Sequence, residues 1–274
     1  MTILAASTES VSRLLVSIVV YRPDMPMLER TLASLDTAFE AVKRTRPSAK
    51  LDVCVINNGG LPTSFDINPR GYRVLSGHGN VGYGRGHNLA LDGASDYHLI
   101  LNPDIELDAN ALVEALAFFD VNPEVGLIAP LTFGEGGKMQ YLCRRFPTVL
   151  DLFVRGFLPT RLRRPFTARL AHYEMRDLIN PRDVVFNPPI ISGCFMLFRT
   201  PILAALGGFD ARYFLYFEDY DLSLRAGRVT QIAYVPSVRV THFGGGAARK
   251  GGAHIRMFVA SAFQFFTRFG WRWL

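Results

Sequence analysis

The residues best suited to chemistry stand just beyond apolar runs. In HLILNPDIELD (98–108) the run Leu99 to Leu101 stops at Asn102-Pro103-Asp104. A plain turn explains this: proline fixes φ and the aspartate caps the helix expected over 109–120. A carboxylate at a strand tip also suits a metal ion, and hard oxygen donors together with a diphosphate select Mg²⁺ or Mn²⁺. FEDYDLSLR (217–225) brings Glu218, Asp219 and Asp221 together. Acids in the first turn of a helix favour its positive end, and that alone can account for them. Beside Leu215, Tyr216 and Phe217, however, the pair is partly desolvated, which raises a carboxylate toward general-base duty: one acid takes a proton and the other orients it. VTHFGGGAARK (240–250) sets His242 at a strand end before three glycines and the cations Arg249 and Lys250. Imidazole there can meet a metal while loop amides meet diphosphate.

These residues need a scaffold, and the first half reads as strands alternating with helices. LLVSIVV (14–20), LDVCVIN (51–57), YRVL (72–75), the run ending at Leu101 and VGLIAP (125–130) read as strands, with helices expected over 26–43, 87–92 and 109–120. Near-continuous apolar strands predict a parallel sheet covered on both faces, with ligands at the carboxyl ends of its strands. Tyr21 and Arg22 follow the first strand and Asn57 and Asn58 the second, so these ends form a lip for a nucleotide. GHGNVGYGRGHNLAL (77–91) is dense in glycine and leads into a helix, which lets its amides approach a phosphate or base. A dinucleotide fingerprint fails on position, since it belongs after the first strand with GxGxxG spacing. Residues 131–182 read as an excursion with a helix or two, and 184–198 return to strand character. A short helix over 201–206 and the strand QIAYVP (231–236) follow.

The chain has 274 residues, 49% of them apolar and 20% charged, enough for a sizeable core. No run of about 18 apolar residues occurs, and MTILAASTESVSR lacks the pattern of a signal peptide, so a cytoplasmic location is expected. Cys54, Cys143 and Cys194 are far apart and without CxxC spacing, which argues against a disulfide framework or a zinc site. The net charge of +6 is unevenly spread. No acid follows Asp221, and the block 144–169 holds seven arginines against Asp151. Such patches meet phosphate in some form, or are simply a solvated face. Nucleic acid is excluded as the partner, because no reading helix or aromatic stacking sheet accompanies the arginines.

In order, VSIVVYRP, VINN, GNVGYGRGHN, LILNPDIEL, ISGCFMLFR, GGFDARYFLYFEDYDLSLR and VTHFGGG resemble a family 2 inverting glycosyltransferase, most closely the bacterial rhamnosyltransferase branch. The resemblance runs from about Val16 to Gly246. It implies an α/β fold of GT-A type, Rossmann-like, with a mostly parallel central sheet flanked by helices and a C-terminal helical appendage. It divides the chain into a transferase domain, 1–252, with a nucleotide-sugar half (14–130) and an acceptor half (131–252), followed by an amphipathic helix (253–274). By the same resemblance Asp104 and His242 hold Mg²⁺ or Mn²⁺ and the donor diphosphate, Asp219 is the base and Glu218 supports it. Tyr21, Arg22, Asn57, Asn80, Gly82, Tyr83, Asn102 and Arg249 fall at donor-binding positions. Two departures stand out: relatives generally carry Asp-Asn where this chain has Asn57-Asn58, and many carry an Asp where it has Asn102. The implied partners are a nucleotide-diphosphate sugar, dTDP-L-rhamnose foremost, and a glycan or lipid-linked glycan acceptor. A catalytically silent sugar-nucleotide or glycan-binding protein on the same scaffold is the alternative reading.

The tail HIRMFVASAFQFFTRFGWRWL places Phe258, Ala262, Phe265, Phe266 and Phe269 at helical spacing among arginines, with two tryptophans near its end. Such a helix can lie in the cytoplasmic membrane interface, or pack on the core or on another subunit as in a homodimer.

Overall fold

The computed structural model describes residues 12–65, 67, 70–244 and 251–274. β1 (Arg13–Val20) is buried at every residue but Arg13. α1 (Met25–Thr45) starts where the Asp24 side chain accepts from the Met27 N–H, with proline in the first turn. Next come β2 (Lys50–Asn57), β3 (Arg73–Leu75), α2 (Tyr83–Asn88) and β4 (Tyr97–Leu101). β1 lies between β2 and β4, parallel to both, and its register sets Val20 beside Asn57 and Ile18 beside Leu101. Tyr21, Asn57 and Asn102 therefore leave the sheet along one edge. The helix expected over 87–92 lies earlier, because Gly82 turns the chain at φ 91 and the helical turns close before Gly93 at φ 67.

Asp104 caps no helix. The chain continues into β5 (Ile105–Leu107), and α3 (Ala111–Val121) begins only after Asn110. β6 (Val125–Gly134), β7 (Met139–Gln140) and β8 (Cys143–Arg144) follow, then α4 (Val149–Phe157), a 3₁₀ segment over Thr160–Phe166 and α5 (Thr167–Tyr173). The last third contributes β9 (Val185–Phe186), β10 (Ile190–Ile191), β11 (Phe195–Arg199), α6 (Thr200–Ala205), α7 (Glu218–Ala226), β12 (Gln231–His242) and α8 (Gly251–Phe269).

The main sheet runs β3-β2-β1-β4-β11-β6-β12-β5. It is mixed: β11 enters antiparallel between β4 and β6, so the run ISGCFMLF delivers its leading residues Gly193 and Cys194 to the same edge as Asn102. β12 pairs parallel with β6, slips register between Val235 and Arg239 around Pro236, which has no N–H to donate, and ends antiparallel to β5. α1 and α3 cover one face with Leu28, Leu32, Leu35 and Phe119. α6 and α7 cover the other with Leu203, Leu222 and Ala226.

A separate apolar cluster of Leu152, Tyr213, Phe217, Phe265 and Phe266 joins α4, α7 and α8. The tail helix thus packs on the protein along one face. Ser261 Oγ donates to the Leu215 carbonyl at 2.8 Å, and the Val149 N–H donates to the Arg272 carbonyl at 2.8 Å. Ile255, Val259 and Phe263, four residues apart, remain exposed on α8. No helix among the described residues is long and apolar enough to cross a membrane. The three cysteines are buried and unpaired, and burial pushes the Cys143 and Cys194 thiols up to about 12.

Candidate active site

The strand tips build a shelf with a polar floor. Tyr21 is half exposed and lies against Gly59, where a Cβ would meet its ring at 3.4 Å. Arg22 has φ 48, donates its N–H to the Gly59 carbonyl at 2.7 Å, and sets its guanidinium 5.4 Å from the Tyr21 ring centre. A ring backed by a glycine and open to solvent can stack on a base. Asn57 Oδ1 accepts from the Gly59 N–H at 2.9 Å, so this side chain shapes the shelf's turn. Asn80 Oδ1 accepts from the Gly82 N–H at 3.1 Å, while Asn58 Nδ2 donates to the Gly82 carbonyl at 2.9 Å. Gly82 is obligatory on two counts: its φ is positive, and a Cβ would lie 2.3 Å from the Phe214 carbonyl oxygen. Asn57 and Asn80 thus hold the loops that face the site. Asn58 does the same from a buried position.

Tyr83 pins three elements together. Its hydroxyl lies 2.6 Å from the Gly193 carbonyl, to which it donates, and 3.0 Å from Asn102 Oδ1. Burial raises its pKa well above the usual phenol value, so it acts as a neutral strut. Gly193 in turn donates its N–H to Asp219 Oδ2 at 2.9 Å. Two hydrogen bonds and the polar contact at Asn102 thereby connect the tip of β4 to the first turn of α7.

Asp104 and His242 meet because β5, leaving Asp104, pairs with the end of β12: Ile105 opposes His242. Asp104 Oδ1 is 3.5 Å from His242 Nε2 and is buried without a hydrogen-bond partner among the described residues. His242 Nδ1 lies 3.1 Å from Gln140 Oε1, to which it donates, and this contact turns Nε2 toward the carboxylate. A carboxylate oxygen and a ring nitrogen set this way can share a proton or flank a divalent cation. Gly244 leaves the room: a Cβ there would lie 2.0 Å from Asp104 Oδ2 and 2.7 Å from His242 Nε2. No cluster of three such ligands occurs among the described residues, so the remaining coordination positions would fall to the diphosphate and water. Gln140 orients the histidine and was invisible as a site residue in the sequence. Arg249 lies outside the described residues.

Glu218 and Asp219 open α7 after two residues in the left-handed region, Tyr216 (φ 70) and Phe217 (φ 65). This costs on the order of 1–3 kcal/mol each, a strain held by the Phe217 ring, which packs on Phe258 and Phe265. The turn points the two acids into different surroundings. Glu218 is 5% exposed and its Oε2 has no partner among the described residues. Burial, then repulsion from Asp219, raises its pKa. Burial also raises Asp219, but the Gly193 and Tyr220 N–H groups and nearby Arg144 oppose that rise. The pair therefore holds a proton more readily at Glu218, whose free oxygen meets no donor, than at the partly buried Asp219, whose oxygens are held by backbone N–H groups. A base that is charged, oriented and reachable is what deprotonation of an alcohol requires.

No family model matches the chain. It is 31% identical over 241 residues to the N-acetylglucosaminyl-diphospho-decaprenol L-rhamnosyltransferase of Mycobacterium tuberculosis, covering 82% of this chain and 74% of that one. It is 26% identical to the rhamnosyltransferase WbbL of Escherichia coli over 222 residues, 74% of each. Among solved structures, GalNAc-T7 with UDP, GalNAc and Mn²⁺ superposes with a TM-score of 0.61 at 14% identity, over 93% of this chain and 48% of that chain. The Pyrobaculum calidifontis mannosyltransferase PcManGT with GDP-Man and Mn²⁺ gives 0.55 at 15% identity, over 93% and 66%. An acid pair facing a carboxylate–histidine cradle at the strand tips of such a sheet, in a chain this similar, makes it a member of the GT-A glycosyltransferases related to the bacterial rhamnosyltransferases.

Proposed function

We propose that the protein transfers a sugar, L-rhamnose from dTDP-L-rhamnose, to a hydroxyl of a bacterial surface glycan with inversion at the anomeric carbon. The observation that carries this is the division of labour between Glu218 and Asp219 beside the Asp104–His242 cradle. Asp219 takes the proton of the acceptor hydroxyl, whose oxygen attacks the anomeric carbon on the face opposite the diphosphate. Glu218, uncharged, keeps a second negative charge away from the attacking oxygen. Tyr21 stacks on the base, and the Gly82 loop approaches the donor closely. Asp104 and His242 would hold the divalent cation, which when bound offsets charge on the departing diphosphate. One imidazole among oxygen donors favours Mn²⁺ over Mg²⁺, and the two structural neighbours named above contain Mn²⁺.

Calorimetric titration with dTDP, UDP and GDP, with and without Mn²⁺, tests the reading. Metal-dependent dTDP binding that weakens at least tenfold in Asp104→Ala is expected. Absence of binding by any nucleotide would reject the transferase reading in favour of a glycan-binding protein on the same scaffold.

A further inference from the structure

More than half of the large apolar side chains left exposed among the described residues lie in two segments, 149–166 and 251–274, which make up less than a sixth of the chain. Ile255, Val259 and Phe263 recur every four residues and form one row along α8, beside the strip that packs on the core. The row ends at the tryptophans: the Phe263 ring is 5.5 Å from that of Trp271, which stacks on Trp273 at 5.2 Å. α4 lies alongside. Its exposed Phe157 is 6.0 Å from Phe258 of α8 and 6.2 Å from the exposed Phe153, and the Leu150 N–H donates to the Trp273 carbonyl at 3.2 Å. Exposed Leu162 continues this surface from the 3₁₀ segment, which Arg163 fastens to the end of α4 through the Leu158 carbonyl at 2.7 Å.

The charge on these segments has one sign. Residues 149–169 and 251–274 hold eight arginines and one acid, Asp151, which is buried and paired with Arg169 at 2.6 Å. Arg161, Arg164, Arg256 and Arg272 are exposed and have no carboxylate within ion-pair distance among the described residues. Aliphatic and aromatic side chains bordered by unmatched cations fit the boundary between lipid headgroups and acyl chains, where indole rings settle and guanidinium groups meet phosphate. A second copy of the chain fits worse, because a two-fold axis would set this acid-free surface against itself, arginine facing arginine.

We infer that the surface formed by α4, the 3₁₀ segment, α8 and the chain's last residues docks on an anionic lipid bilayer. α8 lies in the plane of the interface with Ile255, Val259 and Phe263 toward the acyl chains, Trp271 and Trp273 at headgroup level, and Arg161, Arg164 and Arg256 on lipid phosphates. Attachment is peripheral, since no described helix is long and apolar enough to cross.

The test is sedimentation of the full chain with vesicles of phosphatidylcholine alone and of an equal mixture of phosphatidylcholine and phosphatidylglycerol. The mixed vesicles should retain the protein at least about tenfold more tightly, and about 1 M salt, where the Debye length falls to about 3 Å, should remove most of that difference. Trp271 and Trp273 are the chain's only tryptophans, so quenching of fluorescence by brominated acyl chains reports contact at this surface. Val259→Ser and Phe263→Ser should each weaken retention about tenfold, as expected for losing one apolar side chain from the acyl boundary. Arg161→Gln and Arg164→Gln should each weaken it about fivefold. Unfolding midpoints of all four variants should match the wild type, because these side chains are exposed. Retention indifferent to the serine variants, with tryptophans that brominated chains leave unquenched, would mean adsorption by charge alone and would overturn the docking geometry. Absence of retention on the mixed vesicles would overturn it as well, and a dimer in light scattering that Phe263→Ser dissolves would then assign the face to a second copy. Nucleotide binding does not use this surface, so either result leaves the transferase reading standing.

Discussion

Two groups of carboxylates, two residues apart on α7, meet opposite fates. Asp221 is fully buried and doubly neutralised, with Arg225 Nε at 2.5 Å and Arg268 Nη1 at 2.6 Å. Glu218 and Asp219, just before it, have no carboxylate–cation contact among the described residues, and one oxygen of Glu218 lacks a partner there. A helix start attracts acids in general, so position on α7 does not distinguish them. The supply of partners does: α8 brings Arg268 to Asp221, whereas among the described residues Asp219 is hydrogen-bonded by backbone N–H groups and has Arg144 nearby without an ion pair to it. Charge matched by charge marks structure here, and charge left reachable marks chemistry.

The comparison breaks most visibly at Asp219. Asp219→Asn should lower turnover by about 10²–10⁴-fold while nucleotide affinity holds, as expected for a lost general base. Steady-state rates beside calorimetry would show it, and unchanged turnover would remove Asp219 from the mechanism. At Asp221 the expected damage is to folding. Asp221→Ala leaves Arg225 without a carboxylate in a buried setting, while Arg268 keeps Asp210, and should cost about 3–5 kcal/mol in denaturant unfolding. A cost below about 1 kcal/mol would mean that α8 docks through its aromatic residues alone.

Glu218 supplies the finest contrast. Its folded pKa lies above the ordinary 4.5, so the folded chain retains a proton that the unfolded chain releases over that window. Stability fully present below about pH 4.5 is then lost as pH rises through the raised value, at about 1.4 kcal/mol per unit. Glu218→Gln has no such proton to lose. Its urea midpoint should fall less than that of the wild type across this window, and parallel curves would assign the acid pair's proton elsewhere.

Much of this was legible in the residue order. The burial of β1, β2 and β4 and the polar residues at their tips follow from apolar runs that stop abruptly. Glu218 and Asp219 were readable as a desolvated pair because aromatic residues precede them. The helix over 83–88 was misplaced from the sequence because its start depends on Gly82 meeting the Phe214 carbonyl, a contact far along the chain. Asp104 as a helix cap was a fair reading of Asn-Pro-Asp, but the following Ile105–Leu107 finds a ladder partner in β12, and pairing overrides local turn preference. The tail's two readings, membrane or protein, divided between its faces: Phe265 and Phe266 pack inward while Ile255, Val259 and Phe263 stay exposed.

The sequence by itself determined which strands are buried, where their polar tips fall, and which carboxylates and histidine are available for chemistry, because those properties follow from hydrophobic period and local chain stiffness. Only the tertiary structure decided the partnerships. Asp104 meets His242 through a three-residue edge strand, Gly193 reaches Asp219 through an antiparallel insertion, and Arg155 and Arg176 meet on Glu174. These contacts join residues far apart in the chain, and no local spacing rule reports which distant donor a strand register will bring within 3 Å of a given oxygen.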